Sequence, residues 1–133
     1  MARKILIVED NEDNRELVVK VLKNKGYMIA EAADGEEALE KAVAEKPDLI
    51  LLDISLPKLD GYEVAKRLKS MEEFEEIPIV AFTAHAMKGD REKVIIAGFE
   101  GYISKPVNIR ELPEQIRYFI RGKRESILGD EHE

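Results

Sequence analysis

Residues 49–53 read Leu49-Ile50-Leu51-Leu52-Asp53, four large apolar residues in a row and then an acid. The run shows no polar alternation and is too short for a helix of ordinary length. It therefore predicts a strand buried on both faces, as in a parallel sheet. Two other runs share this character. Ile5-Leu6-Ile7-Val8 precedes Glu9-Asp10, and Ile79-Val80-Ala81-Phe82 follows Pro78 and precedes Thr83. Tyr27-Met28-Ile29-Ala30 and Gly101-Tyr102-Ile103-Ser104 are weaker candidates for a second and a fifth strand.

Between these runs the apolar spacing changes to the helical period of about 3.6 residues. Leu17, Val18, Val21 and Leu22 mark a first helix, with Gly26 as its stop. Asp34-Gly35-Glu36-Glu37 reads as a helix start with acids in the first turn, and Ala38, Leu39, Ala42 and Val43 line one face. Val64, Ala65 and Leu68 mark a third helix. A fourth is expected from Met87 to Ala97, stopping at Gly98. Ile109, Leu112, Ile116 and Phe119 form the stripe of a last helix that tolerates Pro113 in its first turn. Five βα units in succession predict an α/β fold, a three-layer sandwich around a five-stranded parallel sheet. Right-handed crossovers favour the flavodoxin-like strand order 2-1-3-4-5. Residues 1–121 are expected to form one domain, followed by a polar tail over 122–133.

The bulk composition narrows the function. A chain of 133 residues without cysteine has no disulfides and no thiolate metal site. No apolar run approaches the length of a membrane span, and the first residues do not resemble a signal peptide. A cytoplasmic location is the expectation. The formal charge of −7 argues against direct nucleic-acid binding, which selects basic patches.

In open parallel sheets ligands bind beyond the carboxyl ends of the strands, where strand order reverses. Here the sequence places acids: Glu9 and Asp10 after the first strand and Asp53 after the third. Converging carboxylates raise one another's pKa unless a cation compensates, and a hard divalent ion such as Mg²⁺ suits oxygen ligands. Capping is the competing explanation, since Asn11, Asp13 or Asp10 could each cap the helix that follows. An acid ending so apolar a run as Leu49–Leu52 is costly unless satisfied or used. Thr83 and Lys105 fall on the same rim. A hydroxyl, an ammonium, an acid cluster and a metal together suit phosphoryl transfer, which rests on positioning and charge stabilisation.

These residues carry a family resemblance. Glu9-Asp10, Asp53 followed by Pro57 and Gly61, Thr83-Ala84 and Lys105-Pro106 resemble the signature of two-component response regulator receiver domains of the CheY-like superfamily. The resemblance spans Lys4 to about Arg121. Ala86-Met87-Lys88-Gly89-Asp90 and Tyr102-Ile103-Ser104-Lys105-Pro106 are similar to stand-alone regulators of the DivK type and to receivers of hybrid kinases. The resemblance implies that Asp53 accepts a phosphoryl group from a histidine kinase or a histidine phosphotransfer protein. It implies Mg²⁺, with Mn²⁺ able to substitute, held by Asp10 and Asp53, by Glu9 through a water and by the Ser55 backbone carbonyl. Thr83 and Lys105 would contact the phosphoryl oxygens, and the Lys105–Pro106 bond would be cis. Thr83 and Tyr102 would form the switch, and Ser55 and His85 would flank the site. His132 is expected to play no part.

The implied protein is a signalling switch rather than a turnover enzyme, catalysing only its own phosphorylation and slow dephosphorylation. Its output would pass from the face formed by the fourth and fifth helices and fifth strand to a protein target. A monomer or weak phosphorylation-dependent dimer is expected, with no membrane partner. A receiver fragment of a larger hybrid kinase and a phosphorylation-independent binding module are the alternatives. A haloacid-dehalogenase-like phosphohydrolase would need a second Asp where Ser55 stands. A flavodoxin would need a phosphate loop where Glu9-Asp10-Asn11-Glu12-Asp13 stands.

Overall fold

All five residues of Leu49–Asp53 are buried, and the strand they form lies at the centre of the sheet. The computed structural model describes residues 2–84 and 88–127, so the expectations for His85, Ala86, Met87 and His132 lie outside it. In chain order the elements are β1 (Lys4–Val8), α1 (Glu12–Lys23), β2 (Met28–Ala32), α2 (Gly35–Glu45), β3 (Leu49–Asp53), α3 (Gly61–Lys69), a single 3-10 turn (Glu72–Phe74), β4 (Ile79–Thr83), α4 (Lys88–Ala97), β5 (Gly101–Ser104) and α5 (Leu112–Ile127). The strands form one parallel sheet of order β2-β1-β3-β4-β5, as expected.

Alternation along each strand divides the core into two layers. Leu6, Val8, Ile50, Leu52, Ile79 and Ala81 face α2, α3 and α4, where they meet Ala38, Ala42, Val64, Leu68, Val94 and Ala97. Ile5, Ile7, Leu49, Leu51, Val80 and Phe82 face α1 and α5, where they meet Val18, Leu22, Leu112 and Ile116. Both faces of β1, β3 and β4 are thus dry, which is why their sequences are continuously apolar.

Several local expectations need correction. β2 begins at Met28 and reaches Ala32, later than the run Tyr27–Ala30. It is an edge strand with alternating exposure, so its apolar signal is weak. The buried stripe of α1 is Val18, Val19 and Leu22, while Leu17 is exposed. Val43 in α2 is also exposed. Ile109 lies outside α5 and is exposed, because the chain first turns at Asn108, whose Oδ1 accepts from the amides of Arg110 and Glu111. Pro113 does sit in the first turn of α5. The helix then runs past Arg121 to Ile127, so the expected tail begins inside it.

Caps place the helix starts beside the strand ends. Asn11, Asp34 and Asp60 each accept an N–H three residues on, opening α1, α2 and α3. Of the three capping candidates after β1, Asn11 is the one used, which leaves Asp10 free of that duty. The Asp34 carboxyl is held below its usual value of 3.8, chiefly by the Glu37 amide and, against the opposing effect of burial, by Lys58. The β3–α3 loop folds back tightly: Gly61 N donates to the Ile54 carbonyl, and a Cβ on Gly61 would lie 2.6 Å from the Asp53 carbonyl oxygen and 2.7 Å from Ile54 Cα. Both neighbours are backbone and cannot yield. Gly61→Ala is therefore expected to destabilise the fold by about 1–3 kcal/mol, the usual cost of overpacking. A urea midpoint equal to that of the parent protein would contradict this close approach.

Candidate functional site

The crevice lies beyond the carboxyl ends of β1 and β3, where α1 leaves toward one face of the sheet and α3 toward the other. Asp53, the last residue of β3, is 3% exposed, and Glu9, just past β1, is 1% exposed. Asp10 is exposed beside them. One carboxylate oxygen from each of Glu9, Asp10 and Asp53 lies within 4.8 Å of the other two.

Each buried acid is held by backbone and by one shared cation. Glu9 Oε2 accepts from the Asn11 amide at 3.0 Å, and Asp53 Oδ1 accepts from the Ser55 amide at 3.0 Å. Lys105 enters from the end of β5 and places Nζ 3.1 Å from Asp53 Oδ2 and 2.8 Å from Glu9 Oε1. The contact to Glu9 is a close ion pair at Oε1, a buried oxygen with no well-aligned hydrogen bond. Burial by itself would lower the Lys105 pKa. The close contact with Glu9 and the charge and hydrogen bond of Asp53 outweigh it, so the ammonium is held above its usual 10.5.

The lysine is itself supported. Its N–H donates to the Thr83 carbonyl at 2.8 Å, its peptide bond to Pro106 is cis, and its ammonium stands 5.0 Å from the centroid of the Phe82 ring. Phe82 thus gives the cation an aromatic wall. Thr83, the last residue of β4, is 5% exposed on the same rim. A cleft of about 310 Å³ opens next to Lys105 between α1 and the β5–α5 connection, lined by Asn14, Leu17, Phe82, Ala84, Pro106 and Val107.

Tyr102 stands apart from this rim. It pairs with Ala81 in the sheet register and packs with the layer facing α2, α3 and α4. The expected set therefore divides. Glu9, Asp10, Asp53 and Lys105 converge, Thr83 lies at the adjoining strand end, Ser55 contributes its amide to Asp53, and Tyr102 lies deeper in the β4–β5 layer. Three contributors were not picked out from the sequence: the Asn11 amide, the Phe82 ring and Arg15, whose Nη1 donates to the Glu9 carbonyl at 2.7 Å. Each acts through backbone or through a face that appears only when strands and helices are placed.

The donor set fits a hard divalent cation. Among the described residues it offers three carboxylates, one of them with a buried oxygen lacking a hydrogen bond, and no nitrogen or sulfur ligand.

Comparison with known proteins places this geometry. The pattern of the response regulator receiver domain matches residues 5–117. The polar-differentiation response regulator DivK of Brucella ovis is 44% identical over 120 residues, covering 90% of this chain and 98% of DivK. Among solved structures, the receiver domain of the sensor histidine kinase PA1611 from Pseudomonas aeruginosa, with a magnesium ion coordinated in its active-site cleft, is 37% identical. It superposes with a TM-score of 0.83, covering 90% of this chain and 98% of that one. The chemotaxis protein CheY4 of Vibrio cholerae is 28% identical with a TM-score of 0.86, covering 90% and 99% of the two chains. Sheet order, acid cluster and family match agree, and the chain belongs to the response regulator receiver domain family.

Proposed function

We propose that the chain is a phosphorylation switch of the stand-alone type, in which Asp53 takes a phosphoryl group from a phosphohistidine of a kinase or phosphotransfer protein. The observation that carries this reading is the placement of Asp53: nearly buried at the end of the central strand, within ligand distance of Glu9 and Asp10, and bonded to Lys105. In the transfer an Asp53 carboxylate oxygen bonds to phosphorus as the P–N bond of the donor breaks and the imidazole leaves with the electron pair.

Asp10 and Asp53 would hold Mg²⁺ directly, Glu9 through a water, and the Ser55 carbonyl would complete the protein's share. The ion would supply positive charge against the phosphoryl oxygens. The chain's own residues do the rest. The Ser55 amide orients the nucleophile through Oδ1. Lys105 already faces Asp53, so its ammonium meets the incoming oxygens with little movement. The Thr83 hydroxyl, on the neighbouring strand end, donates to another of them. The cleft by Asn14, Leu17 and Val107 gives a phosphodonor protein an apolar approach to this rim.

The readout follows from sheet register. Ala81 and Thr83 point to the same face of β4, and Ala81 is paired with Tyr102 on β5. A shift of Thr83 toward the phosphoryl group would vacate space on that face of the sheet, against which Tyr102 also packs. Inward rotation of Tyr102 would then bias the α4–β5–α5 face toward its target. DivK, matched over 98% of its own length, is the relative that supports an output carried by a separate protein.

Two outcomes test this. Asp53→Asn is expected to remove all modification by acetyl phosphate and Mg²⁺. An intact-mass spectrum still showing the phosphoryl adduct would refute Asp53 as acceptor. Lys105→Met removes the ammonium that Mg²⁺ must work against, so the metal is expected to bind on the order of tenfold more tightly, the scale of one paired charge. The metal-free protein should also unfold more easily, and Mg²⁺ should restore it by mass action. Calorimetric titration giving an unchanged or weaker Mg²⁺ affinity would show that Lys105 and the metal do not share the cluster.

A further inference from the structure

A second cation lies near the acids and does the opposite of Lys105. Arg15, in the first turns of α1, directs Nη1 to the Glu9 carbonyl at 2.7 Å and Nε to Glu31 Oε1 on β2 at 3.0 Å. Its side chain is 18% exposed. The guanidinium touches none of the three clustered carboxylates, and Glu31 balances its charge. We propose that Arg15 is a positioning residue for the divalent-cation site: it fixes the peptide plane from which Asp10 projects. The proposal rests on the reading of Glu9, Asp10 and Asp53 as metal ligands.

The reasoning starts from what holds Asp10. Its carboxylate is exposed and, among the described residues, has no hydrogen-bond partner, so backbone alone sets its place. The Glu9 carbonyl and the Asp10 N–H belong to one rigid plane. In the preceding peptide unit the Glu9 N–H donates to the Ala32 carbonyl at 3.0 Å, and the Glu9 carboxylate is tied to the Asn11 amide. Arg15 supplies the remaining constraint, and does so from two elements at once, since Glu31 fixes the guanidinium against β2. The fork matters: Nη1 and Nε on one planar group reach two acceptors that a lysine cannot hold in fixed geometry.

Charge and positioning predict opposite signs. Removing a cation near a metal site should tighten metal binding if charge alone mattered. Loss of a support for a ligand should weaken it, by about tenfold for an outer contact of this kind. The test is Mg²⁺ titration by calorimetry and by ¹⁵N amide shifts on the parent, Arg15→Gln and Arg15→Lys. Both variants are expected to bind Mg²⁺ about tenfold more weakly, and their Asp10 and Asn11 amides to exchange faster in metal-free protein. Arg15→Lys keeps the charge and remains informative if Arg15→Gln folds poorly. Parent-like or tighter Mg²⁺ binding in a folded variant overturns the inference while leaving the site assignment standing. A parent protein that does not bind Mg²⁺ overturns the site assignment itself.

Discussion

At the ends of β1 and β3, three carboxylate oxygens from separate residues lie within 4.8 Å of one another. Two like charges 4 Å apart repel by about 4 kcal/mol at the effective dielectric of a protein rim, a large share of a small domain's whole stability. The sheet forces this arrangement, because adjacent parallel strands end at the same level and carry their terminal side chains to one place. What surrounds the acids answers that repulsion. Backbone amides of Asn11 and Ser55 each take one oxygen, and Lys105 takes one from each of the two buried acids. Among the described residues Lys105 is the cation that contacts both buried acids.

The rigidity of the scaffold makes this possible. β1, β3 and β4 are buried on both faces, so the strand ends cannot shift without disturbing two packed layers. The loops beyond them are pinned separately: Asn11 and Asp34 start their helices within three residues of the strands, Asp60 caps α3 after a longer loop, and Gly61 lets α3 begin against the backbone of Asp53 and Ile54. On the proposed reading Asp53 needs such support to accept a group in line, since its own side chain has two free torsions.

The extent to which the sequence disclosed this arrangement follows the physics of each part. Continuous apolar runs ending in acids revealed the central strands, because burial on both faces leaves no room for polar residues. Glu9, Asp10, Asp53, Thr83 and Lys105 were legible because each falls at a strand end, where the chain topology alone implies a shared rim. Edge strand β2 was displaced because alternation over a few residues is a weak signal. Leu17 and Val43 were assigned to buried stripes but are exposed, each at the border of its helix's buried face, and Ile109 precedes the helix it was assigned to. Arg15 was invisible for a different reason. Its acceptors are a carbonyl, which every residue has, and a glutamate on a strand whose register the sequence did not give.

The two residues that would contact the phosphoryl group from the far side of the sheet are not independent. Lys105 donates its N–H to the carbonyl of Thr83, and Thr83 pairs with Ser104 across β4 and β5. Drawing the Lys105 ammonium or the Thr83 hydroxyl toward Asp53 therefore pulls on one backbone ladder rather than on two loose side chains. Tyr102 sits three residues before Lys105 on that ladder, paired with Ala81 and packed against the layer that faces α2, α3 and α4. On the proposed reading this explains how a local change of charge reaches the surface. A phosphoryl group would replace a carboxylate–lysine pair with a larger anion, and the tips of β4 and β5, joined through Lys105, Thr83 and Ser104, would respond together.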